Sequence, residues 1–433
     1  MANPRWIGTA ANIKQTHTIT IALTWAAADT ITLTIDNVTF VVTIGTLVTT
    51  AQVATTLKQA YNGETLTDTT ASYNVFGGAI AMGAFAEMTA SVSSSVVTLT
   101  ANTAGKPFTM TTGDVATTAG DGTATVATAK VNAGAAEGDN VDNYDTNAVP
   151  TDADALYFDE GSADFLYDIS FAAQMTTIYK AKKFTGKVGL AEVNRDSTKT
   201  YREYRGKYLV TDDNGGATTT AHLEYGEGQG SGRFKWDSGA GIAVLNIYGR
   251  GTRAETGVPC ILWKGSAATN VVNNLAGDLG VGFFGAETAT VATLRTGDGP
   301  ASNASTICMA GVTLTTVLMN GGYLSTTSAI TTGTQTAGRW EHNVGTITTL
   351  NVNGGRYQHL GGATITTLTV RSGGVFDASK GNATFVITNT VQLYEGCEFN
   401  DPFGRSGNVV LKINGDINKM KIVVQQNKTI TFS

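Results

Sequence analysis

Between residues 314 and 376 one phrase comes round four times. Leu314, Ile330, Ile347 and Ile365 are each followed by Thr-Thr, at spacings of 16, 17 and 18 residues. Eight residues after each aliphatic stands a glycine (Gly322, Gly338, Gly355, Gly373), and one to three residues later an aromatic (Tyr323, Trp340, Tyr357, Phe376). Helical-pair repeats and propeller blades need roughly 33 to 50 residues per unit, so this period is too short for them. It suits one turn of a right-handed parallel β-helix, a solenoid in which short strands are separated by corners. The aliphatics would stack as core, and the glycines would supply corners with positive φ.

Less regular apolar groups continue the pattern: Ile387, Leu393, Phe399, Val409-Val410-Leu411 and Ile422-Val423-Val424. Upstream, "HLEYGEGQGSGRFKWDSGAGIAVLNIYGRG" and "VPCILWKGS" show short strands punctuated by glycine, without a readable register. Coils of about 20 residues at about 4.8 Å would make residues 151–433 a rod of roughly 14 coils, near 65 Å long. Both ends would be open edges. The N-terminal region is expected to cover one. The last strand, Lys428–Phe432, is expected to pair with a neighbouring chain at the other.

Composition agrees with a mainly β chain. Threonine is abundant, 51 residues are glycine, and only 15% are charged, against about 25% in an average soluble domain. β-Branched residues fit a pleated surface, so helix should be scarce. A net charge of −6 argues against a nucleic-acid partner, which calls for a basic excess. Cys260, Cys308 and Cys397 lack metal-ligand spacing and read as small buried residues. The opening Met-Ala-Asn-Pro-Arg-Trp-Ile-Gly has no basic region leading into an apolar stretch, so no secretory signal is expected. No run is apolar enough to cross a bilayer.

Residues 1–13 read as an arm and 14–130 as a small β-rich domain with one helix. Alternation in Thr30–Ile35 and Val38–Thr43 around Asp36-Asn37 predicts a hairpin. Thr49 is a candidate N-cap, Val53, Leu57, Ala60 and Tyr61 share a helical face, and Gly63 is a stop. A second hairpin is expected from Val96–Thr100 through Gly105-Lys106-Pro107 to Phe108–Thr111. From 112 the chain grows rich in Ala, Gly, Thr and Asp, and 131–150 reads as an acidic linker. The phrases "DTITLTIDNVTFVVTIGTLVTTAQVATTLKQAYNG" and "VVTLTANTAGKPFTMT" resemble a small module found in phage virion proteins and bacterial surface proteins. "VPTDADALYFDEGSADFLYDI" is similar to the first coil of β-helical surface proteins.

Those resemblances imply a virion-associated structural protein of the head-decoration or tail-fibre kind. It would be made in the host cytoplasm, located in the virion and assembled as a homotrimer on major capsid or tail proteins. The alternatives are a polysaccharide-depolymerising tailspike, which calls for a carboxylate-lined groove, and a bacterial surface adhesin. No cofactor is expected, and neither a phosphate loop, a CxxC pair nor a catalytic triad is present.

Three groups of residues are candidates for function. Gly338-Arg339-Trp340-Glu341-His342 recurs as Gly355-Arg356-Tyr357-Gln358-His359. Arg339, Trp340, His342, Arg356, Tyr357 and His359 would therefore form a ladder, either a glycan-contact stripe on a host surface ligand or simply stacked neighbours. Lys180, Lys182, Lys183, Lys187, Arg202 and Arg205 follow an acidic block (Asp139, Asp142, Asp145, Asp152, Asp154, Asp159, Asp164, Asp168) and suggest an assembly contact of complementary charge. That block lacks calcium-loop spacing and reads as a solvated linker. Glu224, Glu227 and Asp237 are the remaining acids for a catalytic pair, and they sit among turn glycines.

Overall fold

The computed structural model describes residues 3–35, 38–74, 83–116, 119–196, 199–211, 218–226, 232–425 and 431–432. Two antiparallel sheets of four strands form the N-terminal unit. In Thr30–Ile35 the alternation predicted from sequence buries Ile31, Leu33 and Ile35 completely. This strand pairs with Val38–Thr43 in hairpin register, Ile35 opposite Val38, and the turn residues Asp36 and Asn37 lie outside the described residues. The helix spans Thr50–Asn62, opens with a Thr49–Gln52 capping box and stops at Gly63 in the left-handed region (φ +69°). Val53, Leu57, Ala60 and Tyr61 face the core.

The second hairpin is built differently from the sequence reading. Val96–Ala101 pairs on one side with Met88–Ser93 and on the other with Thr16–Ala22. Both its edges are therefore taken, and Thr111–Ala116 crosses to the other sheet to pair with Thr30–Ile35.

From Ala155 onward the chain alternates between two parallel sheets, one of 13 strands and one of 12. The larger begins with Ala155–Gly161, Thr177–Phe184 and Thr218–Glu224, the smaller with Ser170–Phe171, Leu209–Thr211 and Phe234–Asp237. One apolar core, running from Trp6 and Tyr144 to Leu411, is shared by both. Thirteen strands at about 4.8 Å extend this core over about 58 Å.

The repeat sets the register of the later strands. Leu314 pairs with Ile330, Ile330 with Ile347 and Ile347 with Ile365, and all four are buried. Gly322, Gly338, Gly355 and Gly373 have φ between +72° and +78°. A Cβ on Gly355 would stand 2.6 Å from the Gly338 carbonyl oxygen, so one corner glycine rests on the next. The aromatic column begins one unit later than the sequence pattern suggests: Trp340, Tyr357, Phe376 and Phe399 stack in register, with Leu324 beneath Trp340. Tyr323 pairs with Arg339 instead.

The first end is covered by the chain itself. Arg5 bridges to Tyr157 on the first edge strand, and Trp6 is buried against Tyr144 and Phe165. The acidic segment expected to be a solvated linker is packed here. Asn143 and Tyr144 are fully buried, and the Asn143 amide donates to the carbonyls of Gly134 and Glu137. Burial, with Asp168 and Asp139 nearby, raises the Glu137 carboxyl to about 7. At the far end Thr431–Phe432 adds to Val410–Asn414 within the same chain and is the edge strand of the larger sheet. Lys428 to Ile430 lie outside the described residues.

Truncating one link of the aliphatic column should be costly. Ile347→Ala is expected to destabilise by about 2–5 kcal/mol, whereas the exposed neighbour Thr348→Ala should stay within about 0.5 kcal/mol. Urea unfolding followed by circular dichroism checks this, and equal effects would remove Ile347 from the core.

Candidate functional site

The Arg339–His342 and Gly355–His359 strands stack as the repeat predicts, Arg339 on Arg356, Trp340 on Tyr357 and His342 on His359. Alternation along a strand sends neighbouring side chains to opposite faces. Trp340, Tyr357, His342 and His359 therefore share the interior, each at most 1% exposed, and only Arg339 and Arg356 reach solvent. A stripe of these six residues against a glycan is not what the strands build. The rings make core contacts: Trp340 meets Tyr357 edge-on at 5.4 Å.

Burial keeps both histidines neutral, and their hydrogen bonds then choose the tautomer. His342 Nε2 lies 2.7 Å from the Gly345 carbonyl, which can only accept, so Nδ1 is left to accept from the Thr326 hydroxyl at 2.8 Å. His359 repeats this between Ala363 and Tyr357. Burial lowers His342 to about 4, and burial with His342 close by lowers His359 to about 3.

The basic set divides. Lys180 is buried, its ammonium donating to the Phe184 carbonyl at 3.0 Å and lying 3.9 Å from the centre of the Tyr225 ring. Burial lowers it to about 8. Lys182 and Lys183 are exposed, and Lys187 pairs with Asp164 at 3.7 Å. The acidic block does not gather into one centre: Asp145 and Asp159 hold Arg5, Asp154 accepts from the Thr151 amide three residues back, and Asp152 accepts from the distant Gln174 amide. Among the described residues no group of three or more His, Cys, Asp or Glu is placed to hold a metal ion.

Arg205 joins the two halves of the molecule. Its guanidinium donates to Glu203 (2.8 Å) and to Glu87 of the N-terminal unit (3.0 Å), and it reaches the Pro107 carbonyl (2.7 Å). The Tyr204 hydroxyl donates to Glu87 at 2.9 Å, and Lys106 pairs with the same carboxylate. Tyr201 and Tyr204, carried between the parallel strands, lie inside the N-terminal core. The contact is an intrachain weld.

Beside the weld lies a large concavity. Leu209, Trp236 and Trp263 point into the core, so the same strands present Val210, Asp237 and Lys264 outward in one column. The segment 202–208 walls one side and the loop around Glu287 the other. Together they enclose a cavity of about 1030 Å³ with Val38 and Pro107 of the N-terminal unit at its rim. A smaller cavity of about 490 Å³ shares Arg202, Lys207, Asp237, Lys264 and Glu287.

Ion pairs line this groove. Lys264 Nζ is 3.2 Å from Asp237 and 3.8 Å from Glu287, so these two carboxylate oxygens are at most 7.0 Å apart. Glu192 receives Lys207 at 2.8 Å and Lys235 at 3.2 Å. Burial would raise the Glu192 carboxyl, but the bond from Lys207 and the charges of Lys235 and Lys207 outweigh it and hold it below its ordinary value. The Tyr208 hydroxyl is pushed up by burial and then by Glu287, to which it donates. One ammonium engages both facing carboxylates, an arrangement that offers a polar ligand alternating donors and acceptors.

Of the acids singled out from sequence, Asp237 lies in the groove, Glu224 lies on the other sheet, and Glu227 is outside the described residues. Glu192, Lys264 and Glu287 carried no sequence signal, because irregular coil lengths bring them together.

Arg205→Ala should leave the Glu203 carboxylate buried without its guanidinium and cost about 3–5 kcal/mol, read by thermal melting. The histidines give a pH signature. Unfolded histidine titrates near pH 6.5, so below that the unfolded state binds protons that the folded state refuses. Stability is full above about pH 6.5 and should fall toward about pH 4 by about 1.4 kcal/mol per unit for each histidine. A His342→Gln, His359→Gln double variant should flatten that part of the slope in melts taken across this range.

Comparison with known protein families, with characterised proteins and with solved structures finds no match to the chain.

Proposed function

We propose that this chain is a structural component of a bacteriophage particle, a right-handed parallel β-helix that decorates the capsid or forms a tail or fibre appendage. The observation that carries the reading is the strict alternation of the chain between two long parallel sheets around one core. A solenoid of this kind resists bending because every coil is hydrogen-bonded to the next along its length. The weld at Arg205 suits attachment, since it sets the N-terminal unit at a fixed position on the first coils. In this reading the N-terminal unit docks on major capsid or tail proteins, and three copies assemble around one axis. The outer face is polar, with threonine columns such as Thr316, Thr332, Thr349 and Thr367.

Electron microscopy of purified particles, with antibody labelling of this chain, tests the proposal. The expected result is label at regular surface positions of head or tail, with threefold clustering. Particles that lack the chain, or a chain that sediments as a monomer in isolation and from disrupted particles, would overturn it.

A further inference from the structure

The aromatic stripe that the strands do not build at residues 339–359 exists elsewhere. On the outer face of the 13-stranded sheet the register places Tyr157, Tyr179 and His222 in one column, followed by Asn246, Asn273 and Arg295. All six alternate with fully buried neighbours such as Ile178, Leu223 and Leu245, and all six keep partial or full access to solvent. At one strand per step the column extends for about 24 Å.

Its chemistry changes in the middle. Tyr157 and Tyr179 lie 5.9 Å apart, and Arg5 stands over the Tyr157 ring at the outer end. His222 is stacked with Tyr248, the rings 6.4 Å apart and within 9° of parallel. Tyr248 is 41% exposed. The Tyr179 hydroxyl is engaged by Glu224, which orients that ring. Beyond the rings come amides: Asn273 donates to Asn246 at 2.9 Å, which leaves each amide further donors and acceptors. The face thus offers ring surfaces, then neutral hydrogen-bonding groups, with one cation, Arg295, at the inner end.

We propose that this column binds an extended, neutral polysaccharide lying along the stacking axis. Sugar rings would rest on Tyr179, His222 and Tyr248, with their hydroxyls held by Asn246, Asn273 and Arg295. Aromatic faces are apolar surfaces that attract polarised C–H groups, and hydroxyls both donate and accept, as amides do. A column with one rung per strand selects an extended ligand with a regular repeat. With Arg5 paired to Asp145 and Asp159 and with Glu224 set against Arg295, the column carries no excess of cations to attract a polyanion. A protein partner would seek large exposed aliphatics, and those of the parallel sheets, such as Val344 and Val386, lie on other coils. The proposal does not depend on where the chain sits in a particle.

Affinity electrophoresis of the full chain tests it, with hydroxyethyl cellulose as the extended neutral probe, dextran as a coiled one and polygalacturonate as an anionic one. Hydroxyethyl cellulose should retard the chain, and Tyr179→Ala and Tyr248→Ala should each weaken that retardation at least tenfold. Thr332→Ala and Thr367→Ala, on the same sheet several coils away, should leave it unchanged. Melting of every variant is measured alongside; for any that unfolds, Asn246→Ala with Asn273→Ala replaces it under the same expectation. No retardation by hydroxyethyl cellulose, retardation by polygalacturonate alone, or equal retardation of wild type and column variants would each overturn the proposal.

Discussion

Everything in the larger part of this molecule depends on the parallel hydrogen-bond ladder between successive strands of each sheet. A parallel ladder places each residue above its counterpart one coil down, so one choice of register decides a whole column. The aliphatic column through Leu314 and Ile365, the aromatic column through Trp340 and Phe399 and the corner glycines are products of the same constraint. It also permits polar groups inside. Thr326, His342, Tyr357 and His359 find one another because they occupy neighbouring rungs, and their hydrogen bonds offset the loss of water.

The sequence is most readable where the coils have nearly equal length. Between Leu314 and Phe376 the aliphatics, glycines and turns can be counted off directly, and the register follows. Upstream the coils vary: Ile178 pairs with Ala221 because the hairpin Val193–Asp196 with Lys199–Arg202 is inserted between them. No single period survives such an insertion, and so Glu192, Lys264 and Glu287, which form the groove with Asp237, have no trace in the sequence.

Which face of the strand Arg339–His342 looks inward is illegible for a different reason. Arg339-Trp340-Glu341-His342 has large polar and aromatic residues at consecutive positions, so alternation alone does not say which pair is inside. The neighbouring coils decide it: Leu324 below and Phe376 above require the Trp340 position to be interior. In the N-terminal unit the helix and first hairpin were legible from local signals, the Thr49 cap, Gly63 and the alternation around Asp36-Asn37. The partner of Val96–Ala101 was not, because strand pairing across a sheet is a non-local property.

Tyr201 and Tyr204 complete the core of a unit that begins nearly two hundred residues earlier, and Arg205 ties Glu87 to Glu203 across the boundary. The first hundred and thirty residues are therefore not a cassette. Genetic exchange that replaced them alone would bring in a core with two missing side chains and an acid without its arginine. Only an exchange that also carried the segment around 193–206 would travel intact, so the heritable unit of this architecture extends well into the parallel sheets.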